Sequence, residues 1–222
     1  MSEAESEGVG QSVALRLDHL VVAAATLSEG LAWCERALGV SPAAGGQHLF
    51  MGTHNRVFDI SSAAFPRSYL EIIAIDPTLA APAHARWFDL DNARLQQQLR
   101  QHGPQLVHWV ARCGSIHAAR GAMAELGLDC GVVTPAQRGA LRWQITLRED
   151  GQRALSGAAP ALIEWADVHP TDGMKSSGVT LTDFRVAAPS MRRMLTQPIG
   201  SDSPGPLHAV FDTPRGRVEL KG

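Results

Sequence analysis

The chain has 222 residues, of which 45% are hydrophobic, enough to build one large domain or two small modules around a shared core. Its formal net charge is −2 and its pI is near 6.5, so the composition lacks the positive charge typical of nucleic-acid binders. No apolar run approaches the roughly 18 residues that a membrane helix needs. We therefore expect neither a nucleic-acid partner nor a membrane partner.

The cysteines and the N-terminal stretch indicate the compartment. Cys34, Cys113 and Cys130 are too few and too irregularly spaced for a disulfide framework or a CxxC zinc site, which favours a reducing environment. Residues 1–14 begin with an acidic stretch rich in Ser and Gly that has neither a basic n-region nor an apolar h-region. We predict a disordered tail on a cytoplasmic protein.

A first βαβββ module is predicted over residues 15–76. Strands are predicted over residues 15–24, 47–51, 55–60 and 69–75. Thr26 can cap a helix whose apolar residues recur at helical spacing as far as Leu38, and Gly39 ends that helix. The module therefore starts as a strand followed by a helix.

Residues 77–104 are predicted to link this module to a second one, because their composition shifts to Pro, Ala, Asp and Gln, with a short helix over 92–102. The same order of elements then returns over residues 105–168. Ser115 caps the predicted helix, which ends at Gly127. The predicted strands of this module span residues 106–113, 131–134, 141–147 and 161–166.

Residues 169–222 are predicted to form a shorter βαββ extension. Its predicted elements are a strand over 179–187, a brief helix over 190–195 and strands over 207–211 and 217–220. The fold class is therefore α+β, since runs of three strands without a helix argue against a doubly wound α/β fold. We interpret the extension as structural.

One pattern occurs in both modules: an apolar strand carries a histidine, and a later apolar strand carries a glutamate. His19 and Glu71 form the first pair, 52 residues apart, and His108 and Glu164 form the second, 56 residues apart. Ionisable side chains in apolar strands are costly to bury unless they are paired or bind a metal. Two imidazoles and two carboxylates at matched positions predict a metal site in which each residue points into one cleft.

The tryptophans next to two of the proposed ligands are predicted to be core residues. Trp109 and Trp165 are adjacent to two of them in sequence, so strand alternation predicts that both tryptophans lie on the opposite face and pack in the core. They are not assigned to the site.

The duplicated βαβββ pattern, with its LDHLVV opening and YLEIIA closing strand, resembles the vicinal oxygen chelate superfamily. The closer resemblance is to its glyoxalase-like domain proteins. The stretch 45–56 is similar to a GGxHxxMGTHN signature of that group, and residues 86–91 resemble a further stretch typical of it. The resemblance covers about residues 15–168.

The resemblance implies that the paired modules curl into a half-open barrel of mixed β-sheet. It also implies one divalent metal ion held by His19, Glu71, His108 and Glu164, on which a small-molecule substrate binds through two neighbouring oxygens. Zn²⁺, Ni²⁺, Mn²⁺ and Fe²⁺ all suit such ligands, and an octahedral ion would keep two adjacent positions open. The metal would stabilise an enediolate or a comparable oxyanion.

The reaction expected from this site is that of a lyase or isomerase. A base is required for proton abstraction beside a carbonyl, and Glu164 is our first choice, although little in the sequence separates it from Glu71. A ring-cleaving dioxygenase is less favoured, because two His and two Glu exceed the set of two His and one carboxylate that leaves an open face for oxygen.

His48, His54 and Asn55 form a second candidate cluster at a predicted hairpin. The histidines could bind substrate or act as acid and base, since imidazole titrates near neutral pH. Alternatively, Asn55 and Thr53 hold the turn while the histidines lie in solvent.

A second function stays open from the sequence. The same cleft could sequester a small, partly aromatic molecule without a metal, in which case it should be apolar and aromatic. Two modules in one chain can complete a barrel alone, so both a monomer and a homodimer are compatible with the sequence.

Overall fold

The computed structural model describes residues 13–222, so most of the predicted N-terminal tail lies outside the described residues. The helices are α1 (Leu27–Trp33), which continues as a π-helical turn (Cys34–Leu38), α2 (Ala93–His102) and α3 (Ile116–Glu125). Short 3-10 helices span Ala154–Gly157, Pro170–Gly173 and Pro189–Met194. No helix in the described part of the chain is long and apolar enough to cross a membrane.

Eleven strands form two sheets in the described residues. The strands are β1 (Arg16–Ala23), β2 (Ala44–His48), β3 (Thr53–Asp59), β4 (Tyr69–Ile75), β5 (Gln105–Arg112), β6 (Val132–Arg138), β7 (Leu141–Leu147), β8 (Ala161–Trp165), β9 (Thr180–Val186), β10 (Leu207–Thr213) and β11 (Gly216–Lys221). The larger sheet has the order β2-β3-β4-β1-β5-β8-β7-β6, and the smaller has the order β11-β10-β9. This confirms the predicted α+β fold of paired βαβββ modules.

The two modules meet at the centre of the larger sheet. β1 pairs with β4 in parallel, and β5 pairs with β8 in parallel, while β1 and β5 pair with each other antiparallel. The sheet curls into a half-barrel whose free edges are β2 and β6. Each module therefore supplies one half of the concave face.

Local sequence signals explain the ends of the first helix. The Thr26 side chain accepts a hydrogen bond from the backbone N–H of Glu29, which satisfies a donor that the first helical turn leaves free. Gly39 ends the following π-helical turn in a left-handed conformation with φ 75°, which a glycine adopts without steric cost. Both predicted ends are confirmed.

Two predicted strands, β2 and β6, differ most from the observed bounds. β2 was expected over residues 47–51, but Leu49 and Phe50 form the turn that follows it. β6 was expected to stop at Thr134, yet it continues to Arg138, because an edge strand tolerates Pro135 and pairs with β7 along its whole length.

The sheet separates two apolar clusters. The convex face packs against α1, α3 and the smaller sheet, where Trp109 meets Phe184 edge to face at 5.5 Å between ring centroids. The concave face carries a second cluster, covered by α2 and by the loop residues Trp87 and Phe88. The C-terminal extension thus completes the core on the side opposite to the cleft.

Candidate functional site

A β-bulge in β1 brings two consecutive polar side chains together. The pairing of β1 with β5 shifts between Leu17 and His19, so Asp18 occupies the irregular position. In a regular strand, neighbouring side chains point to opposite faces, and bulges redirect them. Here the Asp18 Oδ1 atom lies 2.8 Å from the His19 Nδ1 atom.

Asp18 is fully buried and accepts hydrogen bonds from several side chains. His169 Nε2 lies 2.9 Å from Oδ2, Trp165 Nε1 donates to Oδ2 at 3.0 Å, and Arg112 Nη1 lies 3.4 Å away. Burial alone would raise the pKa of Asp18, but hydrogen bonds from His169 and His19 outweigh it and hold the pKa well below its ordinary value. The ionised carboxylate therefore holds a proton on Nδ1 of His19 and leaves Nε2 facing the cleft.

Asp18→Asn is expected to lower the free energy of unfolding at pH 7 by about 3 kcal/mol, because it removes the charge that compensates several buried donors. A carboxyl group whose folded pKa is depressed stabilises the fold fully above its unfolded pKa, which is about 3.9, and this stabilisation is lost as the pH falls further. Urea unfolding at pH 7 and pH 3 should therefore show a difference between wild type and variant that shrinks at pH 3. A difference that is equal at both values would contradict the role of charge.

A hydrogen-bonded chain orients Glu71, which is buried on β4. Asn55 Nδ2 donates to Glu71 Oε1 at 2.6 Å and lies 3.4 Å from His48 Nε2. His48 Nδ1 in turn lies 3.1 Å from Thr53 Oγ1. Because Oε1 is held in this way, Oε2 is the oxygen of Glu71 that is left for chemistry.

His19 and Glu71 face each other across β1 and β4. Their free atoms, His19 Nε2 and Glu71 Oε2, are 3.7 Å apart. The imidazole is stacked on the Tyr69 ring at a centroid distance of 4.5 Å, which restrains its orientation. The structure thus brings an oriented imidazole and an oriented carboxylate together in the first module.

The register of the sheet identifies the matching positions in the second module. His19 pairs with Tyr69 in parallel, and Val110 pairs with Ala161 in the same way, while His19 and Val110 are direct partners across the centre of the sheet. Glu71 is two residues after Tyr69 in β4, and Ile163 is two residues after Ala161 in β8. In this register Val110 lies directly opposite His19, and Ile163 lies two residues beyond the partner of Val110, as Glu71 lies two residues beyond the partner of His19.

His108, predicted as a ligand, lies on the concave side but away from the position that matches His19. It pairs with Val21, and its Nε2 atom accepts the backbone N–H of Ala161 at 3.0 Å. Its ring packs against Phe88 at 4.9 Å, and its buried Nδ1 atom has no partner among the described residues. Burial lowers the pKa of His108 to about 3.

Glu164, predicted as both ligand and base, does not point into the cleft. Its Oε2 atom accepts the backbone N–H of Ile116 at 2.7 Å, in the first turn of α3, where Ser115 is the other cap. A carboxylate is favourable there because it satisfies a free N–H and interacts with the helix dipole. Strand alternation then places Trp165 in the cleft, where it packs against the apolar cluster of the concave face, so the prediction that it lies on the face opposite to the cleft is wrong.

The second predicted cluster is divided between the two faces of the larger sheet. Asn55 and His48 line the cleft, as described above. His54 points to the other face, where its Nδ1 atom lies 3.3 Å from Asp76 Oδ2, and burial lowers its pKa. The structure therefore brings together four of the seven predicted site residues: His19, Glu71, His48 and Asn55.

Buried neutral histidines give the fold a specific pH dependence. Burial lowers the pKa of His48 to about 4 and that of His108 to about 3, against about 6.5 in the unfolded chain. Between these values the unfolded chain binds more protons than the folded one, so the free energy of unfolding falls as the pH falls from 6.5 to 4. Urea titrations over this range should show a shallower slope for His48→Gln and for His108→Gln than for wild type. Unchanged slopes in both variants would contradict the assignment.

The cleft has a polar half and an apolar half, and its inner part of about 40 Å³ shares Arg138, Trp143 and Trp165 with a larger outer part of about 940 Å³. The polar half belongs to the first module. The apolar half is formed by Trp143, Ile145, Ile163 and Trp165 of the second module, with Trp87 above them. The lining of the cleft therefore suits a molecule with an oxygenated end and an apolar end.

Sequence reasoning missed four residues of this site, Asp18, Arg138, Trp165 and His169. Asp18 was visible only as the neighbour of His19, and a bulge cannot be read from an apolar pattern. Arg138 reaches the site from the far edge of the sheet, where its Nη1 atom donates to Asn55 Oδ1 at 3.1 Å. His169 lies after the last strand of the module and has no periodic signal.

The topology and the cleft define a member of the vicinal oxygen chelate superfamily. The family model described as a glyoxalase-like domain matches residues 17–197, most of the chain, and the chain belongs to that family. A comparison with curated proteins finds no significant match.

Solved structures that resemble this chain are distant from it in sequence. A hypothetical protein from Staphylococcus aureus is 11% identical, with a TM-score of 0.54 over 93% of this chain and 85% of that one. A variant of methylmalonyl-CoA epimerase from Streptomyces coelicolor, in complex with 2-nitronate-propionyl-CoA, is 16% identical, with a TM-score of 0.43 over 71% of this chain and 99% of that one. The epimerase from Mycobacterium tuberculosis is 15% identical, with a TM-score of 0.38 over 68% and 86%. These likenesses concern the fold alone.

The side chains of the cleft do not fit the expected four-ligand metal centre. Val110 and Ile163 occupy the positions that would complete it, and Glu164 lies on the other face. Among residues 13–222, no group of three or more His, Cys, Asp or Glu side chains is placed to hold a metal ion. Of the four predicted ligands, two remain in place, His19 and Glu71, which is fewer than the three or four protein ligands typical of zinc sites.

Proposed function

We propose that the protein is an isomerase- or lyase-type enzyme that moves a proton on a small oxygenated substrate, with Glu71 as the base and His19 as the acid. The observation that carries this proposal is the 3.7 Å approach of His19 Nε2 to Glu71 Oε2 in a cleft. A candidate acid and base must lie within reach of the same reacting group, and these two do.

The proposed step follows from the atoms that are free to react. Glu71 Oε2 takes a proton from a carbon beside a carbonyl group, and the electron pair of that C–H bond moves onto the carbonyl oxygen. His19, protonated at Nε2, donates a hydrogen bond to the oxyanion as it forms, while Asp18 stabilises the imidazolium through Nδ1–H. Return of the proton to the same carbon or to a neighbouring atom completes an isomerisation, and loss of a leaving group completes an elimination.

The surroundings of this pair support preorganisation for such a step. Asn55 holds Glu71, Asp18 holds His19, and the Tyr69 ring restrains the imidazole. Neither reacting group must break a bond with its partner residue in order to reach the substrate. Pairs fixed in this way contribute to catalysis through orientation.

Hydrogen–deuterium exchange tests the proposal without knowledge of the complete reaction. Carbonyl compounds with an exchangeable C–H and an apolar substituent would be incubated with the protein in D₂O, and deuterium incorporation followed by NMR. Phenylpyruvate and its methyl ester are the first probes. The expected result is exchange above the spontaneous rate that scales with protein concentration. Binding without any accelerated exchange across the set of compounds would overturn the proposal.

A second candidate function, sequestration of a small aromatic molecule, has one observation in its favour. Trp143 and Trp165 lie 5.2 Å apart in the cleft, and Trp87 is stacked on Phe88 nearby. Such walls bind apolar rings well. Tight binding of aromatic compounds combined with unchanged exchange rates would favour this function over the enzyme.

A further inference from the structure

We propose that Arg138 is the anion-binding residue of the cleft, so that the substrate carries a carboxylate next to its reacting carbon and an apolar substituent beyond it. This inference rests on the proposed function of His19 and Glu71, and it specifies the substrate class. It starts from the place of Arg138 at the free edge of the half-barrel, where β6 ends.

Arg138 crosses the mouth of the cleft from one module to the other. It belongs to the second module, yet its Nη1 atom donates to Asn55 Oδ1 in the first module at 3.1 Å. In the described part of the chain this is the one hydrogen bond of its side chain, although a guanidinium has five N–H donors. Donors are therefore left over for a ligand at this position.

A missing side chain makes room for this arrangement. A Cβ atom added at Gly46 would lie 3.0 Å from Arg138 Cδ and 3.6 Å from its Nη1 atom. The backbone N–H of Gly46 also donates to Asn55 Oδ1, at 3.0 Å. The second glycine of the Gly45-Gly46 pair thus leaves the space in which the Arg138 side chain lies.

Asn55 sets the spacing between the positive charge and the proposed base. Its amide oxygen accepts from Arg138, and its amide nitrogen donates to Glu71 at 2.6 Å. One side-chain amide therefore separates the guanidinium from the base. A substrate whose carboxylate binds the guanidinium would present the carbon beside that carboxylate, or the next one, to Glu71.

Arg138 also lies where a molecule would enter the cleft. The residue lines both the inner cleft and a larger outer cleft between β2 and β6, as do Trp143 and Trp165. A carboxylate entering between the two edges reaches Arg138 first, and its apolar substituent meets the tryptophans. Arginine is suited to this role because its planar donors match a carboxylate.

A binding experiment tests this inference independently of catalysis. The probes are 3-phenylpropionate and its neutral isostere 3-phenylpropionamide, neither of which carries a readily exchangeable C–H, with binding measured by tryptophan fluorescence and calorimetry. Wild type is expected to prefer the carboxylate about tenfold, the ratio that one charge-assisted pair supplies. Arg138→Gln should bind both probes equally, and Arg138→Lys should keep a reduced preference.

Two matched variants distinguish an anion-binding role of Arg138 from a purely structural role. Arg142→Gln removes an exposed arginine of the outer cleft and should keep the full preference. Gly46→Ala leaves Arg138 in the sequence but displaces its side chain, and should reduce the preference. Equal binding of both probes by wild type, no binding of either, or an undiminished preference in Arg138→Gln would overturn the inference. If the preference behaves as expected while exchange is absent, the proposed catalytic function fails and the anion site stands.

Discussion

Glu71→Gln is expected to reduce the rate of catalysed deuterium exchange about 1,000-fold, within the range that a positioned general base contributes. The amide cannot accept the proton, but its oxygen can still accept the hydrogen bond from Asn55 that Glu71 Oε1 now receives. The folded structure and the binding of neutral ligands should therefore persist. Exchange kinetics by NMR, together with urea unfolding of the same samples, measures both.

Glu164→Gln is the matched control, because it makes the same chemical change at the other repeated glutamate. Its carboxylate caps α3 through the Ile116 N–H, so its loss should cost about 0.5 kcal/mol of stability and leave exchange within twofold of wild type. If Glu164→Gln loses activity and Glu71→Gln retains it, the assignment of the base is reversed. Equal activity of wild type and both variants would show that neither carboxylate is the base.

The fold was predictable from the sequence because its signals are local. Apolar strands, the Thr26 and Ser115 caps and the glycines at helix ends each depend on a few neighbouring residues. The repetition of one order of elements then predicted two modules. What the local pattern misjudged was the length of edge strands such as β6, where pairing with β7 decides the extent.

The site was predictable only in its first half, for a reason of register. His19 and Glu71 were found because their strands pair regularly enough for alternation to hold after the bulge. His108 lies in an apolar strand as His19 does, yet Val110, two positions later, is the residue opposite His19. A shift of one or two residues in the pairing register changes which side chains lie opposite each other, and the pattern of a single strand does not contain the register.

The two modules contribute different kinds of side chain to the cleft. The first module keeps the charged groups and the network that orients them, and the second presents apolar side chains at the equivalent positions. A pair of tryptophans, Trp143 and Trp165, occupies the places that match Asn55 and Ile73 in the first module. One half of the cleft thus suits the chemistry of the substrate and the other half suits its apolar portion.

The same register predicts that a metal centre can be completed by two substitutions. Val110→His places an imidazole directly opposite His19 on an antiparallel pair, where side chains on one face are about 5 Å apart. Ile163→Glu places a carboxylate at the position that matches Glu71. Elemental analysis after incubation with Zn²⁺ or Ni²⁺ and desalting should show about one equivalent in the double variant and much less than one in wild type, because four converging His and Glu ligands form a site that two do not.

Metal retention by the double variant should also appear in its stability. Without metal, burial of an additional imidazole and carboxylate among apolar side chains destabilises the fold, and bound metal should restore part of the lost thermal stability. The control is a second double variant, in which His108→Ala and Glu164→Gln remove the second repeated pair. Its metal content should equal that of wild type. If wild type holds one equivalent of metal and the control variant loses it, His108 and Glu164 are ligands after all, and the conclusion that the cleft lacks a complete ligand set is overturned.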